Sequence, residues 1–236
     1  MSRPDAIDLG PLEASTQSLR RTIAALRDDQ VGEPSLLPGW TRGHVLNHIA
    51  RNAEGMLNLV AWARTGVPTP MYESRAARDA AVEAGAHRSA AALRADVEET
   101  AERLAAGFAE LDDEQWDAVV GIGKDNRPVP MWDVPSHRRQ EVEIHHVDLD
   151  LDYTLAHLPM DFVLDQLRRV AEDLSKQGGI PGFVLVGNDN EGFWTVGAGG
   201  QEITGTPPSL LGWALGRTDG IGVFSADVLP ALGPWR

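Results

Sequence analysis

Two groups of side chains that commonly bind metals lie far apart in the chain. His44 and His48 stand four residues apart in the first group, and Glu141 and His145 stand four residues apart in the second. On an α-helix, residues i and i+4 lie one above the other on a single face. Two such faces turned toward each other would supply histidine and glutamate ligands, which is the chemistry of a catalytic zinc site with one open coordination position.

The second group continues along its helical face. At about 100° per residue, Glu141, His145, Asp148 and Asp152 share one narrow face beside apolar residues. Polar groups that are buried on such a face need partners, and a metal ion would satisfy them. The spacing leaves open which histidine of the first group binds, whether His146 takes part, and whether the metal is Ni or Fe instead of Zn. A surface histidine pair and an ordinary i,i+4 helix pair are the alternative without a metal.

The composition narrows the class of protein and its partners. The 236 residues suffice for one large or two small domains, and 42% hydrophobic with 24% charged residues is ordinary for a soluble globular protein. A net charge of −14 argues against nucleic acid or an anionic membrane as a partner, since both need a basic surface. The chain shows no membrane-spanning apolar run and no signal-peptide pattern, so we expect a cytoplasmic protein. It has no cysteine, so thiolate chemistry would need a small-molecule thiol.

The spacing of apolar residues predicts a helical N-terminal part. The predicted helices are residues 12–26, a helix from Thr41 as N-cap to about residue 64, residues 73–111 with a break near Gly85, and residues 133–152 with Pro135 just inside the start. Residues 117–132 contain two glycines and two prolines and are predicted to form an irregular connection across the bundle. Four long helices with short loops favour an up-down bundle whose core holds a site built from facing helices.

The pattern changes after Pro159. A helix is predicted over residues 160–176, and two short apolar runs, 182–187 and 192–197, flank the sequence NDNE in a way typical of a β-hairpin. Strands at 201–204 and 221–225, with a helix at 206–215 between them, complete a small α+β domain. We therefore expect a helical bundle domain at residues 1–157 and an α+β domain at residues 158–236.

Three segments resemble the signatures of one known family. They are WTRGHVLNHIARNAE (residues 40–54), RRQEVEIHHVDL (residues 138–149) and LLGWALGR (residues 210–217). In order and spacing they resemble the mycothiol-dependent maleylpyruvate isomerase family, a branch of the DinB-like metal-binding bundles. The resemblance extends over nearly the whole chain, and it implies a DinB-like up-down four-helix bundle followed by a small α+β domain.

The resemblance also implies roles for individual residues. His48, Glu141 and His145 correspond to zinc ligands, with solvent or a thiol at the fourth position. His44 belongs to the signature without being a ligand, which implies a structural or supporting role. The Gly-Arg motif implies that Arg217 lies in the active site and binds a substrate carboxylate.

Two further residues are expected near the substrate and the thiol. The resemblance implies that Arg78 corresponds to a substrate-contacting arginine. The position of Asp148, one turn beyond His145, leads us to expect that it orients a metal ligand or binds the thiol cofactor. The structural alternatives are that Arg217 caps the last carbonyls of its own helix and that Asp148 is a solvated acid at a helix end.

The activity that the resemblance implies is a zinc- and mycothiol-dependent cis–trans isomerisation of maleylpyruvate to fumarylpyruvate. A thiolate adds to the double bond, the bond rotates once its π character is gone, and elimination restores the alkene as the trans isomer. The expected partners are a small diacid and a low-molecular-weight thiol. The rival hypotheses are a mycothiol S-transferase for another electrophile, a zinc hydrolase with Glu143 or Asp148 as general base, and a non-catalytic metal-binding module.

Overall fold

The computed structural model describes residues 3–123, 125–188 and 192–232. The chain divides into two compact units, Met1–Asp152 and Tyr153–Arg236. The described helices of the first unit are α1 (Gly10–Ile23), α2 (Asp28–Val31), α3 (Arg42–Thr65), α4 (Arg75–Gly85), α5 (Ala90–Ala109), α6 (Asp113–Asp117) and α7 (Val134–Asp148). Its described strands are β1 (Val119–Ile122) and β2 (Arg127–Pro130), and a short 3-10 helix (Met131–Asp133) joins β2 to α7.

The four long helices α1, α3, α5 and α7 form the predicted up-down bundle. Helix α3 packs against α5 and α7, and α1 packs against the same two helices. Two clusters of buried apolar side chains fill the interior, one including Leu46 and Leu93 and the other including Met56 and Phe108. The predicted break in the long Ala-rich stretch is confirmed, since α4 ends at Gly85 and α5 begins at Ala90.

Local chemistry determines where α3 begins and ends, as predicted. The Thr41 side chain accepts a hydrogen bond from the His44 amide, and the His44 ring accepts one from the Thr41 amide, which together form a capping box. At the other end Gly66 has a φ of 71°, a left-handed conformation that glycine adopts without steric cost. The cap orients the first turn of α3, and His48 follows one turn after His44.

Helix α7 begins where predicted but ends at Asp148, before residue 152. The guanidinium of Arg42 on α3 donates hydrogen bonds to the carbonyls of Leu149 (2.7 Å) and Asp150 (2.9 Å). The backbone also turns there, since Asp150 has a φ of 52°. Asp152 therefore lies beyond the helix, and the prediction that it shares a helical face with the metal-competent residues was wrong.

The segment predicted to be an irregular connection, residues 117–132, contains a β-hairpin instead. Strands β1 and β2 pair antiparallel with Val120 opposite Val129, and both side chains are buried. The connecting turn uses Gly123 (φ 73°) and Asn126 (φ 49°), two residue types that tolerate left-handed backbone. Prolines are compatible with this ribbon because both strands are edge strands, where a missing N–H is tolerated.

The second unit is an α+β structure, as predicted. Its described elements are a 3-10 helix (Leu155–His157), α8 (Met160–Lys176), β3 (Phe183–Gly187), β4 (Phe193–Val196), β5 (Gln201–Gly205), α9 (Pro207–Ala214) and β6 (Val223–Ser225). The strands form one sheet in the order β4-β3-β5-β6, in which β3 and β5 are parallel and the other neighbours antiparallel. The predicted hairpin is confirmed as β3 and β4, although residues 189–191 of its loop lie outside the described residues.

None of the helices that the structure describes is long and apolar enough to cross a membrane.

Candidate metal centre

Helices α3 and α7 pack against each other and bring the two predicted groups of side chains together. His48 Nε2 lies 3.0 Å from Glu141 Oε2 and 3.1 Å from His145 Nε2, and the last two atoms are 3.4 Å apart. His48 is only 4% exposed, whereas Glu141 and His145 are partly exposed. The cluster therefore lies at the border of the bundle interior, within reach of a ligand from outside.

The three donor atoms fit a single divalent ion. Zinc binds imidazole nitrogen and carboxylate oxygen at about 2.0–2.2 Å, so two ligand atoms at a tetrahedral angle lie about 3.3 Å apart. The sides of the His48–Glu141–His145 triangle, from 3.0 to 3.4 Å, match that spacing. Two histidines and one glutamate leave a fourth position open, which is the ligand set of a catalytic zinc site and not of a closed structural one.

A carboxylate on the far side of His145 orients that ring. Asp148 Oδ2 lies 2.8 Å from His145 Nδ1, and the Asp148 side chain is 0% exposed. A carboxylate at this distance accepts the Nδ1–H, so the lone pair of the ring is on Nε2, the atom that belongs to the donor triangle. The solvated helix-end acid that the sequence left as an alternative for Asp148 does not fit this burial.

Arg78 contacts the Nδ1 side of His48, as Asp148 does for His145, but as a hydrogen-bond donor. Its Nη2 atom lies 3.1 Å from His48 Nδ1, while its Nη1 atom binds Asp79 at 2.8 Å and its guanidinium lies 5.4 Å from the centre of the Trp40 ring. A guanidinium only donates hydrogen bonds, so Nδ1 accepts and the His48 ring proton is on Nε2. A metal on Nε2 requires the opposite arrangement, because the ring proton must then be on Nδ1.

The charges within the cluster follow from burial and from these contacts. Burial lowers the pKa of His48 to about 4, so this ring is neutral at neutral pH. Burial alone would raise the pKa of Glu141, but hydrogen bonds with His145 and His48 outweigh it and hold that pKa well below its usual range. Burial likewise opposes the charge on His145, whose pKa is nevertheless raised by its hydrogen bonds with Asp148 and Glu141. Glu141 and His48 are therefore in the ionised and neutral states that bind metals, whereas the raised pKa of His145 favours its protonated form, which must lose the Nε2 proton before it binds a metal.

Two polar residues beside the cluster were not anticipated from the sequence. Arg138 is 2% exposed and donates to the carbonyl of Ile49 (2.9 Å) and to Asn52 Oδ1 (2.7 Å). Burial lowers its pKa to about 10, although the charge of Glu141 opposes that shift. Burial, with a contribution from the charge of Glu141, raises the pKa of Tyr72 to about 12. The only sequence signal was the position of Arg138, one turn before Glu141 on the same helix.

Two side chains that the sequence left as candidates, His146 as a ligand and Glu143 as a general base, point away from the triangle. His146 Nε2 lies 2.7 Å from Thr22 Oγ1 on α1, and His146 is fully buried. Glu143 Oε1 lies 2.5 Å from the hydroxyl of Ser15, also on α1. Adjacent residues on a helix point about 100° apart, so α7 presents His145 to α3 and His146 to α1.

Arg217 and His44 make local contacts. Arg217 Nη1 donates to the carbonyl of Leu215 at 2.9 Å, just after α9, which is the helix-capping contact that the sequence left as an alternative. His44 lies in the capping box of α3, and its Nε2 atom is 3.1 Å from Glu83 Oε2, outside the donor triangle.

Comparisons with known proteins agree on one family. Residues 12–150 match the mycothiol maleylpyruvate isomerase N-terminal domain. A crystal structure of the mycothiol-dependent maleylpyruvate isomerase is similar to this chain with a TM-score of 0.89 and 30% identity, covering 96% of this chain and 95% of that one. A crystal structure of a histidine-to-alanine mutant of that isomerase is similar with a TM-score of 0.89 and 29% identity over the same shares. A search of curated proteins gave no match. The chain therefore belongs to the mycothiol maleylpyruvate isomerase family of enzymes.

Proposed function

We propose that this protein is a zinc- and mycothiol-dependent cis–trans isomerase that converts maleylpyruvate to fumarylpyruvate. The observation that carries the proposal is the donor triangle of His48, Glu141 and His145. It occurs in a chain that is 30% identical, over 96% of its length, to a protein named for this reaction. The family resemblance supports mycothiol as the thiol, and the donor set supports zinc.

The reaction makes two demands on the site, because a cis double bond cannot rotate until its π character is lost. A nucleophile must add reversibly to one alkene carbon, and the negative charge that develops on the substrate must be stabilised. A zinc ion in the triangle would supply the positive charge that keeps a thiol, whose pKa is otherwise about 8.5, in its thiolate form at neutral pH. The chain has no cysteine, so the sulfur must come from a small molecule.

The residues of the bundle hold and orient the groups that meet these demands. Asp148 keeps the lone pair of His145 directed into the triangle through its 2.8 Å contact. Arg78 lies next to His48, with its guanidinium positioned by Trp40 and Asp79. Once it leaves His48 Nδ1, its paired N–H groups match a substrate carboxylate bidentately.

A role for Arg217 rests on a different kind of support. The likeness of residues 210–217 to the Gly-Arg motif of the family supports substrate binding by this guanidinium. Its hydrogen bond to the Leu215 carbonyl uses Nη1. We propose that Arg217 binds the second carboxylate of the diacid and stabilises the charge that develops on the substrate.

The rival functions differ in what the site must contain. A zinc hydrolase needs a general base beside the ion. The two carboxylates considered for that role are engaged elsewhere, Glu143 with Ser15 and Asp148 with His145. A mycothiol S-transferase would use the same donor triangle with another electrophile, and a non-catalytic module would need the triangle without the arginines.

The first test is isomerisation of maleylpyruvate by the zinc-loaded full chain, followed by absorbance with and without mycothiol. We expect turnover only when mycothiol is present and none in the His48→Ala variant. Arg217→Ala should lose turnover while still binding one zinc ion at the triangle. If the wild type binds zinc but does not turn over with mycothiol, the isomerase proposal is wrong and an S-transferase with another substrate takes its place. Normal turnover in Arg217→Ala would remove the proposed role of that residue.

A further inference from the structure

A second group of metal-competent side chains lies one helical turn before His48. His44 on α3, Glu83 on α4 and His87 just after α4 place one donor atom each within 4.8 Å of one another. We call this group the rim cluster. His44 Nε2 is 3.1 Å from Glu83 Oε2, His87 Nε2 is 3.4 Å from Glu83 Oε1, and the two imidazole rings meet edge to face with centres 5.5 Å apart.

We propose that the rim cluster is a second divalent-cation site, of the zinc class. Two imidazoles and one carboxylate are a donor set that zinc, nickel and copper accept. The side chains of Glu83 and His87 are 68% and 70% exposed, so water can complete the coordination sphere. Hydrogen bonds from His44 and His87 hold the pKa of Glu83 below its usual range, so its carboxylate is available as an ionised ligand.

The surroundings of His44 provide the support that a metal-binding imidazole needs. A histidine that binds through Nε2 must carry its proton on Nδ1 and donate it to an acceptor. The Thr41 hydroxyl oxygen lies 2.8 Å from His44 Nδ1 and is suited to that role. A proton on Nδ1 would break the 3.2 Å hydrogen bond that Nδ1 accepts from the Thr41 amide. Because this hydrogen bond is lost, we expect the rim cluster to bind its ion more weakly than the donor triangle of His48, Glu141 and His145.

An ion at the rim cluster would connect the helix that carries His48 to the helix that carries Arg78. The α3–α4 junction is already closely packed. The Asn47 side-chain amide donates to the carbonyls of Ala81 (2.9 Å) and Val82 (2.7 Å). An ion bound by both α3 and the C-terminal end of α4 would add a second link between the two helices. An ion bound there would stabilise the contact between α3 and α4, and this proposal does not depend on the proposed isomerase activity.

The test is the zinc stoichiometry of the full chain after all metal has been stripped, measured by equilibrium dialysis with Zn²⁺ alone. We expect two ions per wild-type chain, one bound tightly and one more weakly. His87→Ala and Glu83→Gln should each lose the weaker ion and keep the tighter one, whereas His48→Ala should do the reverse. His157→Ala, which removes an exposed histidine outside both clusters, is the matched control and should keep both ions.

Two results would overturn the proposal. One is a single ion per wild-type chain at Zn²⁺ concentrations well above those that fill the donor triangle. The other is a second ion that persists in both His87→Ala and Glu83→Gln, because that ion would be bound elsewhere. The thermal unfolding midpoint should rise as the weaker site fills and should not rise in Glu83→Gln. That result would support a link between α3 and α4 through the ion.

Discussion

Substitution of Asp148 by asparagine isolates the contribution of one charge next to the metal centre. The Asp148 carboxylate lies 2.8 Å from His145 Nδ1 and its side chain is 0% exposed. Asparagine has nearly the same shape, and its side-chain oxygen accepts the same hydrogen bond. The substitution therefore removes the negative charge while leaving the His145 ring in place. We expect the zinc affinity to fall, because a neutral acceptor makes the imidazole a weaker electron donor to the metal.

The size of the effect follows from the strength of the hydrogen bond. A bond with a charged partner contributes about 1.5–3 kcal/mol, whereas a neutral one contributes about 0.5–1.5 kcal/mol. The difference of about 1–1.5 kcal/mol corresponds to a change of roughly five- to twelvefold in a dissociation constant. Because Asp148 is fully buried, where low polarity strengthens electrostatic interactions, the upper part of that range applies. We expect zinc affinity about tenfold weaker than in the wild type.

The assay is competition for Zn²⁺ between the metal-stripped chain and a chromophoric chelator. Glu143→Gln is the matched control, since it also removes a buried carboxylate from α7, one that is hydrogen-bonded to Ser15 and lies outside the donor triangle. Thermal unfolding of both metal-free variants separates loss of the site from loss of the fold. The reasoning fails if Asp148→Asn binds zinc as tightly as the wild type, or if Glu143→Gln loses as much affinity.

Two further substitutions test the contacts around the triangle. Arg78→Ala should tighten zinc binding by about fivefold, because it removes a hydrogen bond of about 1 kcal/mol that holds the His48 proton on Nε2. Chelator competition measures this change in affinity, and weaker binding would mean that Arg78 supports the metal. Arg138→Met should destabilise the metal-free protein by about 3 kcal/mol, since it leaves Asn52 Oδ1 and the Glu141 charge without their buried cation. That loss lowers the thermal midpoint by about 6–12 °C, and an unchanged midpoint in calorimetry would show that Arg138 is dispensable for the fold.

Local signals in the sequence were sufficient for the long helices. Thr41 and Gly66 mark the ends of α3 through contacts with residues within one turn, so the residues themselves contain the information. The end of α7 differs, because Arg42 takes the carbonyls of Leu149 and Asp150 from more than a hundred positions away in the chain. A side chain that ends a helix in another part of the fold leaves no pattern near that helix.

The candidate site shows the same division between local and distant information. The i,i+4 spacing predicted that two helices would present metal-competent residues. It could not separate His145 from His146, because that choice depends on which neighbouring helix each one meets. His146 contacts Thr22 on α1, whereas His145 contacts His48 on α3. Tyr72 lies between α3 and α4, outside any helical spacing pattern. Only the folded chain therefore shows that the charge of Glu141 contributes to its raised pKa.

The contact between Arg78 and His48 implies an order of binding at the metal centre. The hydrogen bond to Nδ1 and a metal on Nε2 require different positions of the same ring proton, so the two exclude each other. Metal loading would therefore release the Arg78 guanidinium from His48 while its contacts with Trp40 and Asp79 remain. Before loading, the same guanidinium is engaged by the ligand that the metal needs. An anionic substrate would thus meet an Arg78 guanidinium released from His48 only in the metal-loaded protein, and we expect metal to bind before the diacid.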